Sequence, residues 1–299
     1  MSAQAAVARG AWAGATSRCE RLGVRHLTYA VRRWGDPAAR PLVLLHGVQD
    51  CAATFQFVVD ALAQSWNVIA PDWRGHGHSN WAPRNYWMHD FLADLDALLD
   101  ALLPGAAIDI VGHSMGGNIG GLYAGLRPER VRRFVSLDGF GPLVDRVPVN
   151  MHAALSSFLR PLPGPGAGYA SLDAVAERLM RANPRLPVEK AAFLAEQSTA
   201  RDPDGQYRWL FDRSIRSSSP TLHTVAEWGD VWAGATMPVL WIASGDIRQN
   251  APYFGSQAFA ERHRLLPHAK TRQVAESGHN LHHDQPAEVA ALIEDFLLS

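Results

Sequence analysis

The decapeptide Ile108-Asp109-Ile110-Val111-Gly112-His113-Ser114-Met115-Gly116-Gly117 begins as an apolar run and ends in glycines that lead into a helically spaced segment. Its first four residues predict a buried strand over 108–111, and the apolar spacing of 117–126 predicts a helix directly after it. A chain that passes from strand to helix within so few residues must turn sharply. Glycines two before and two after Ser114 leave room where a Cβ would collide with neighbouring backbone. The serine oxygen is thereby lifted clear of the sheet. G-x-S-x-G in this strand-turn-helix context is the arrangement of a nucleophile elbow, and Ser114 is the candidate nucleophile.

Outward from that turn, short apolar runs at 42–45, 68–70, 134–137, 239–243 and 271–274 read as further strands. Residues 55–62, 88–103 and 287–298 carry the apolar spacing of helices, as in Phe91, Leu92, Leu95, Leu98 and Leu99. Alternation of this kind predicts an α/β fold, a mostly parallel central sheet flanked by helices. The rhythm fails between 139 and 236, where prolines from Pro142 to Pro220 interrupt every longer element. Short helices over 172–180 and 188–196 are expected there. A stretch this long between two core strands is too large for a loop and predicts a helical cap subdomain over 139–236. The core is then formed by 1–138 and 237–299.

Composition narrows the classes of function. With 299 residues, 47% hydrophobic and 19% charged, the chain has ample material for a buried core. The formal net charge is −1 and no Lys/Arg run is present, so nucleic acid is not an expected partner. No apolar run reaches the length of a membrane span. Neither a secretory h-region nor a disulfide framework is visible, and Cys19 and Cys51 are read as free thiols of a cytoplasmic protein.

Two further segments complete a candidate site. Leu44-Leu45-His46-Gly47-Val48 ends the first core strand, so the backbone N–H groups of Val48 and Met115 could both face a developing oxyanion. His46 itself reads as a buried imidazole that shapes the turn. Ser277-Gly278-His279-Asn280 follows the last strand and puts His279 where a general base could reach Ser114. His26, His152, His223, His263 and His268 lie away from any strand's carboxyl edge, and His282 and His283 read as the start of the last helix. A zinc set drawn from His76, His78, His279, His282 and His283 lacks any H-E-x-x-H or C-x-x-C spacing, so no metal is expected. Pro71-Asp72-Trp73-Arg74-Gly75-His76-Gly77-His78-Ser79 lacks the spacing of a dinucleotide site and is expected to brace the floor of the active site.

Together, LLHG at 44–47, PDWRGHGHS at 71–79, GHSMGG at 112–117 and SGHNLHHDQP at 277–286 resemble the α/β-hydrolase superfamily, over roughly 27–298. The resemblance implies a Ser, acid, His order along the chain, and no organic or metal cofactor. Haloalkane dehalogenases and epoxide hydrolases of that superfamily carry aspartate where this chain has Ser114, so their chemistry is not implied. Two aspartates compete for the acid. Asp246 follows the strand at 239–243, where most members carry it, though one residue early. Asp138 ends the strand at 134–137, a position some members use.

These residues point to hydrolysis of a carboxylic ester or lactone of a moderately apolar small molecule through an acyl-enzyme on Ser114. Aromatic residues of the insertion, Phe140, Phe158, Tyr169, Trp209, Phe211, Trp228 and Trp232, either line a pocket or pack the cap onto the core, and Trp209 and Trp228 are the candidate substrate contacts. Carbon–carbon bond hydrolysis of a β-diketone-like substrate uses the same three residues. A ligand receptor that retains them without turnover is the alternative from another class.

Overall fold

The computed structural model describes residues 12–142, 151–164, 166–216, 224–246 and 255–299. Its centre is an eight-stranded sheet. The strands are β1 (Ser17–Val24), β2 (Leu27–Trp34), β3 (Pro41–Leu45), β4 (Asn67–Pro71), β5 (Ile108–His113), β6 (Val131–Leu137), β9 (Val239–Ser244) and β10 (Lys270–Val274). They lie in the order β1-β2-β4-β3-β5-β6-β9-β10, and the remaining strands, β7 (Thr199–Arg201) and β8 (Tyr207–Trp209), form a separate antiparallel hairpin. From β4 to β10 every neighbouring pair is parallel, while β1 and β2 extend the sheet antiparallel at one edge. The α/β expectation therefore holds. The β1–β2 hairpin is an addition the apolar runs do not announce. Glu20, Arg21, Arg32 and Arg33 interrupt it, as suits an edge that faces water.

Alternation along the central strands explains the layers. Val43, Leu45, Ile110, Phe134 and Trp241 point into one buried cluster, and Leu42, Leu44, Val111, Val135, Leu240 and Ile242 into the other. Helices α1 (Gln56–Ala61) and α10 (Pro286–Leu298) cover the second face with Val58, Val289, Ile293 and Leu297. Helices α2 (Met88–Leu102) and α3 (Met115–Leu126) cover the first with Phe91, Leu95, Leu99, Ile119 and Leu122.

Within 139–236 lie α4 (Met151–Phe158), α5 (Leu172–Ala182), α6 (Val188–Ser198), the β7–β8 hairpin and α7 (Val225–Trp232). Residues 143–150, 165 and 217–223 fall outside the described set. Helices α5 and α6 share a small apolar cluster of Val175, Ala176, Ala191, Leu194 and Ala195, bordered by Trp209 and Tyr169. Helix α7 behaves differently. Its Trp228 and Trp232 join the core cluster of Phe134 and Trp241, and a Cβ on Gly121 of α3 would meet the Trp232 ring at 3.3 Å. The remaining helices, α8 (Gln257–Leu265) and α9 (Leu281–Asp284), flank β10 in the sequence.

The parallel strands point their carboxyl ends to one edge, and backbone strain collects there. Gln49, Ser114, Asp138 and Glu276 all have positive φ, between 50° and 61°, and each lies within four residues of the end of β3, β5, β6 or β10. Non-glycine residues hold such angles only where the surroundings enforce them, which is characteristic of functional loops.

Candidate active site

Ser114 sits between β5 and α3 with φ 51° and ψ −114°. Its N–H donates to the carbonyl of Leu137 at 2.8 Å, and its carbonyl accepts from Asn118 N at 2.9 Å, so the strained residue is held from both sides. The flanking glycines are sterically required. A Cβ on Gly112 would stand 2.4 Å from the carbonyl oxygen of Gly116, and one on Gly116 would stand 2.1 Å from that of Leu45.

His279 follows β10 and reaches across to the serine. Its Nε2 lies 2.9 Å from Ser114 Oγ, so the hydroxyl can donate to it, and its Nδ1–H faces Asp138 Oδ2 at 3.3 Å. The other carboxylate oxygen of Asp138 accepts from Ser244 N at 2.8 Å, which fixes the carboxylate relative to β9. Asp138 is itself at the end of β6, beside β5 in the sheet, so register alone brings it near Ser114. Asp246 is placed otherwise. Its N–H donates to Ser277 O at 2.9 Å, and its buried carboxylate pairs with Arg185 at 3.4 Å. The structure thus brings Ser114, His279 and Asp138 together in one hydrogen-bonded line.

Met115 is the first residue of α3, so its N–H has no intrahelical acceptor and belongs to the positive end of the helix. Val48 lies on the loop after β3, where Gly47 packs so closely on the elbow that a Cβ there would be 3.3 Å from Ser114 Cβ. The floor of the site is built from the segments read as structural. His46 donates from Nδ1 to Gly47 O at 2.7 Å and accepts on Nε2 from Trp73 N at 3.0 Å. Asp72 accepts from Ala52 N at 2.7 Å and His78 N at 2.9 Å, tying the loop after β4 to the one after β3.

Two residues, His113 and Asp50, were given no role by the reading of the sequence, and two others, His282 and His283, are buried beside the site in a short helix of their own instead of opening the last one. His113, beside Ser114, donates from Nε2 to the carbonyl of His279 at 2.8 Å and so anchors the loop that carries that imidazole. His282 packs on His113 with ring centroids 4.3 Å apart, and His283 follows at 4.1 Å. Asp50, close to these rings, has its carboxyl pushed up to about 7 by burial, against the opposing pull of the Cys51 N–H and Thr54. The one available signal was the density of histidine on both sides of the elbow. Among the other histidines, His263 and His268 bond to the carbonyls of Ala269 and Met237, and His223 lies outside the described residues.

Burial holds five imidazoles neutral. It pushes His46, His113 and His282 well below the ordinary histidine range, with neighbouring histidines adding to the effect, and brings His76 to about 4 and His283 to about 3. In the unfolded chain these groups bind protons near pH 6.5, so between that value and about 4 the unfolded state holds more protons than the folded one. The stability they contribute is complete above pH 6.5 and is lost as the pH falls. Asp50 opposes the trend, because its folded state keeps a proton up to about 7, and burial raises the Asp72 carboxyl in the same sense, but these are two groups against five. Urea midpoints are expected to drop steadily from pH 7 to pH 5. A flat profile over that range would mean that the histidines are solvated in the folded protein.

The candidate substrate contacts separate. Trp228 is 3% exposed and packs edge-to-face on Trp232 at 5.7 Å inside the core cluster. Phe140 is likewise buried, against Trp241 and Phe259. Trp209 is only partly buried and stacks on Phe211 at 6.1 Å, with Tyr169 at 5.7 Å.

This fold and the line of Ser114, His279 and Asp138 define an α/β hydrolase: the chain belongs to the alpha/beta hydrolase fold family, which matches residues 40–286. A serine hydrolase-like protein of Danio rerio is 28% identical over 282 residues, covering 88% of this chain and 83% of the relative. The esterase Rv0045c of Mycobacterium tuberculosis is 27% identical and covers 89% and 85%. Among solved structures, the thioesterase domain from the curacin biosynthetic pathway superposes with a TM-score of 0.81 at 25% identity, over 93% of this chain and 99% of the domain. No helix of the described residues is long and apolar enough to cross a membrane.

Proposed function

We propose that the chain hydrolyses a carboxylic ester or lactone of a moderately apolar small molecule through an acyl-enzyme on Ser114. The observation that carries this reading is the 2.9 Å separation of Ser114 Oγ and His279 Nε2 at a strained elbow. His279 accepts the hydroxyl proton as Oγ attacks the carbonyl carbon, and Asp138 holds the proton on Nδ1 and stabilises the imidazolium. The N–H groups of Val48 and Met115 receive the oxyanion. His279 then protonates the leaving alkoxide, water attacks the acyl group with His279 as base, and the acid departs. The esterase among the relatives supports an ester as the acyl donor, and the similar thioesterase domain supports the acyl-enzyme route. No cofactor enters this sequence of steps. The insertion at 139–236 is the cap in this reading, and its α7 is seated on the core through Trp228 and Trp232.

A panel of p-nitrophenyl esters of rising acyl length, with lactones alongside, tests the proposal. Turnover with a burst approaching one acyl group per chain is expected. Tight binding without turnover would overturn it in favour of a receptor. The same panel separates the two tryptophans. Trp209→Ala is expected to reduce kcat/KM for long-chain esters about tenfold more than for acetate, because remote contacts are lost only by large substrates. Trp228→Ala is expected to lower stability by about 3–5 kcal/mol and to leave the order of preference intact. Equal losses on short and long esters would remove Trp209 from the pocket.

A further inference from the structure

We propose that Asp50, His282 and His283 form an inhibitory site for a zinc-type divalent cation behind the catalytic histidine. The three residues come from the loop after β3 and from helix α9, and each can present a ligating atom within 4.8 Å of the other two. They already converge on one point. Thr54 Oγ1 lies 3.0 Å from His282 Nε2 and in a still shorter contact with His283 Nε2. A second observation marks His282 as a ligand. Its ring is fully buried and Nδ1 has no hydrogen-bond partner among the described residues, so a proton can rest there and leave the Nε2 lone pair for an ion in the place of the Thr54 hydroxyl. Two imidazoles and one carboxylate suit Zn²⁺, Co²⁺ or Ni²⁺ and not the oxygen-seeking Mg²⁺ or Ca²⁺. Asp50 is partly exposed, while the two histidines are enclosed.

The effect on the reaction follows from placement. His282 packs on His113, whose ring lies 4.9 Å from that of His279 and whose Nε2 bonds to the His279 backbone. A dication at this depth disfavours the positive charge that His279 must acquire during attack, and it does so through protein instead of water. The ion therefore lowers kcat while leaving substrate affinity nearly unchanged. The inhibition rests on His279 acting as the base of the proposed reaction, whereas the binding does not.

The experiment uses the full chain, stripped with EDTA and dialysed. Co²⁺ added alone is expected to bind one per chain with the visible absorption of a low-coordinate nitrogen and oxygen site. Zn²⁺ should displace it and reduce kcat about tenfold or more, reversibly with EDTA. His283→Gln and the near-isosteric Asp50→Asn are each expected to weaken Co²⁺ binding at least tenfold, with folding checked by circular dichroism. Ser114→Ala should bind Co²⁺ as the wild type does, which separates this site from the reacting groups. Wild-type affinity in both folded ligand variants would overturn the site. Stoichiometric binding with undiminished kcat would overturn its inhibitory role, and loss of Co²⁺ binding in Ser114→Ala would move the ion onto the triad itself.

Discussion

Ser114→Ala is expected to lower ester turnover by about 10⁶, the size of loss seen when the nucleophile of a serine triad is removed. The size of the effect follows from what the side chain alone supplies. With Oγ gone, neither the attack nor the acyl-enzyme exists, and His279 Nε2 loses the group that stands 2.9 Å away. The backbone donors at Val48 and Met115 survive, so a residual rate above that of water is expected. Stability should change little or rise, because the φ of 51° at this position is enforced by the elbow and not by the hydroxyl. Kinetics on purified protein, with a thermal melt to confirm the fold, check both statements. Turnover within tenfold of the wild type would assign the chemistry to another residue.

The second large effect concerns the acid. Asp138→Asn is expected to lower turnover by about 10⁴, as an amide in this position can present the wrong face to the imidazole and stabilise the wrong tautomer. Asp246→Asn is expected to cost about tenfold or less. The reason is geometric: Asp138 Oδ2 faces His279 Nδ1 at 3.3 Å, while the Asp246 carboxylate pairs with Arg185. The separation is slightly longer than a tight triad contact, and such bonds often shorten once substrate is bound. If Asp246→Asn is the slower of the two, the acid is supplied from the end of β9 instead.

Much of the architecture was legible because burial on both faces leaves unambiguous apolar runs. The strand expected at 108–111 runs on to His113, and the helix expected from 117 begins at Met115, since the elbow is tighter than residue spacing can convey. The edge hairpin β1–β2 was invisible for the opposite reason. The outer strand β1 is largely exposed and carries Arg18, Glu20 and Arg21, and in β2 the buried run of Tyr29, Ala30 and Val31 gives way to Arg32 and Arg33. Trp228 illustrates a limit of composition. A tryptophan in an insertion can line a pocket or fill a core, and only the packing of α7 on α3 distinguishes them. The acid posed the same difficulty, because Asp138 and Asp246 both follow parallel strands and sequence spacing does not fix which carboxylate turns toward His279. The group of His113, His282, His283 and Asp50 could not be read from spacing either, since its members meet only at the sheet's carboxyl edge.

Intact-mass and peptide analysis of the protein after reaction with a fluorophosphonate addresses the central claim most directly. A single adduct per chain is expected, located on the peptide that contains Ser114 and absent from Ser114→Ala. An adduct on any other serine, or a native chain that remains unlabelled while a known serine hydrolase in the same tube reacts, would contradict the assignment of Ser114 as the nucleophile.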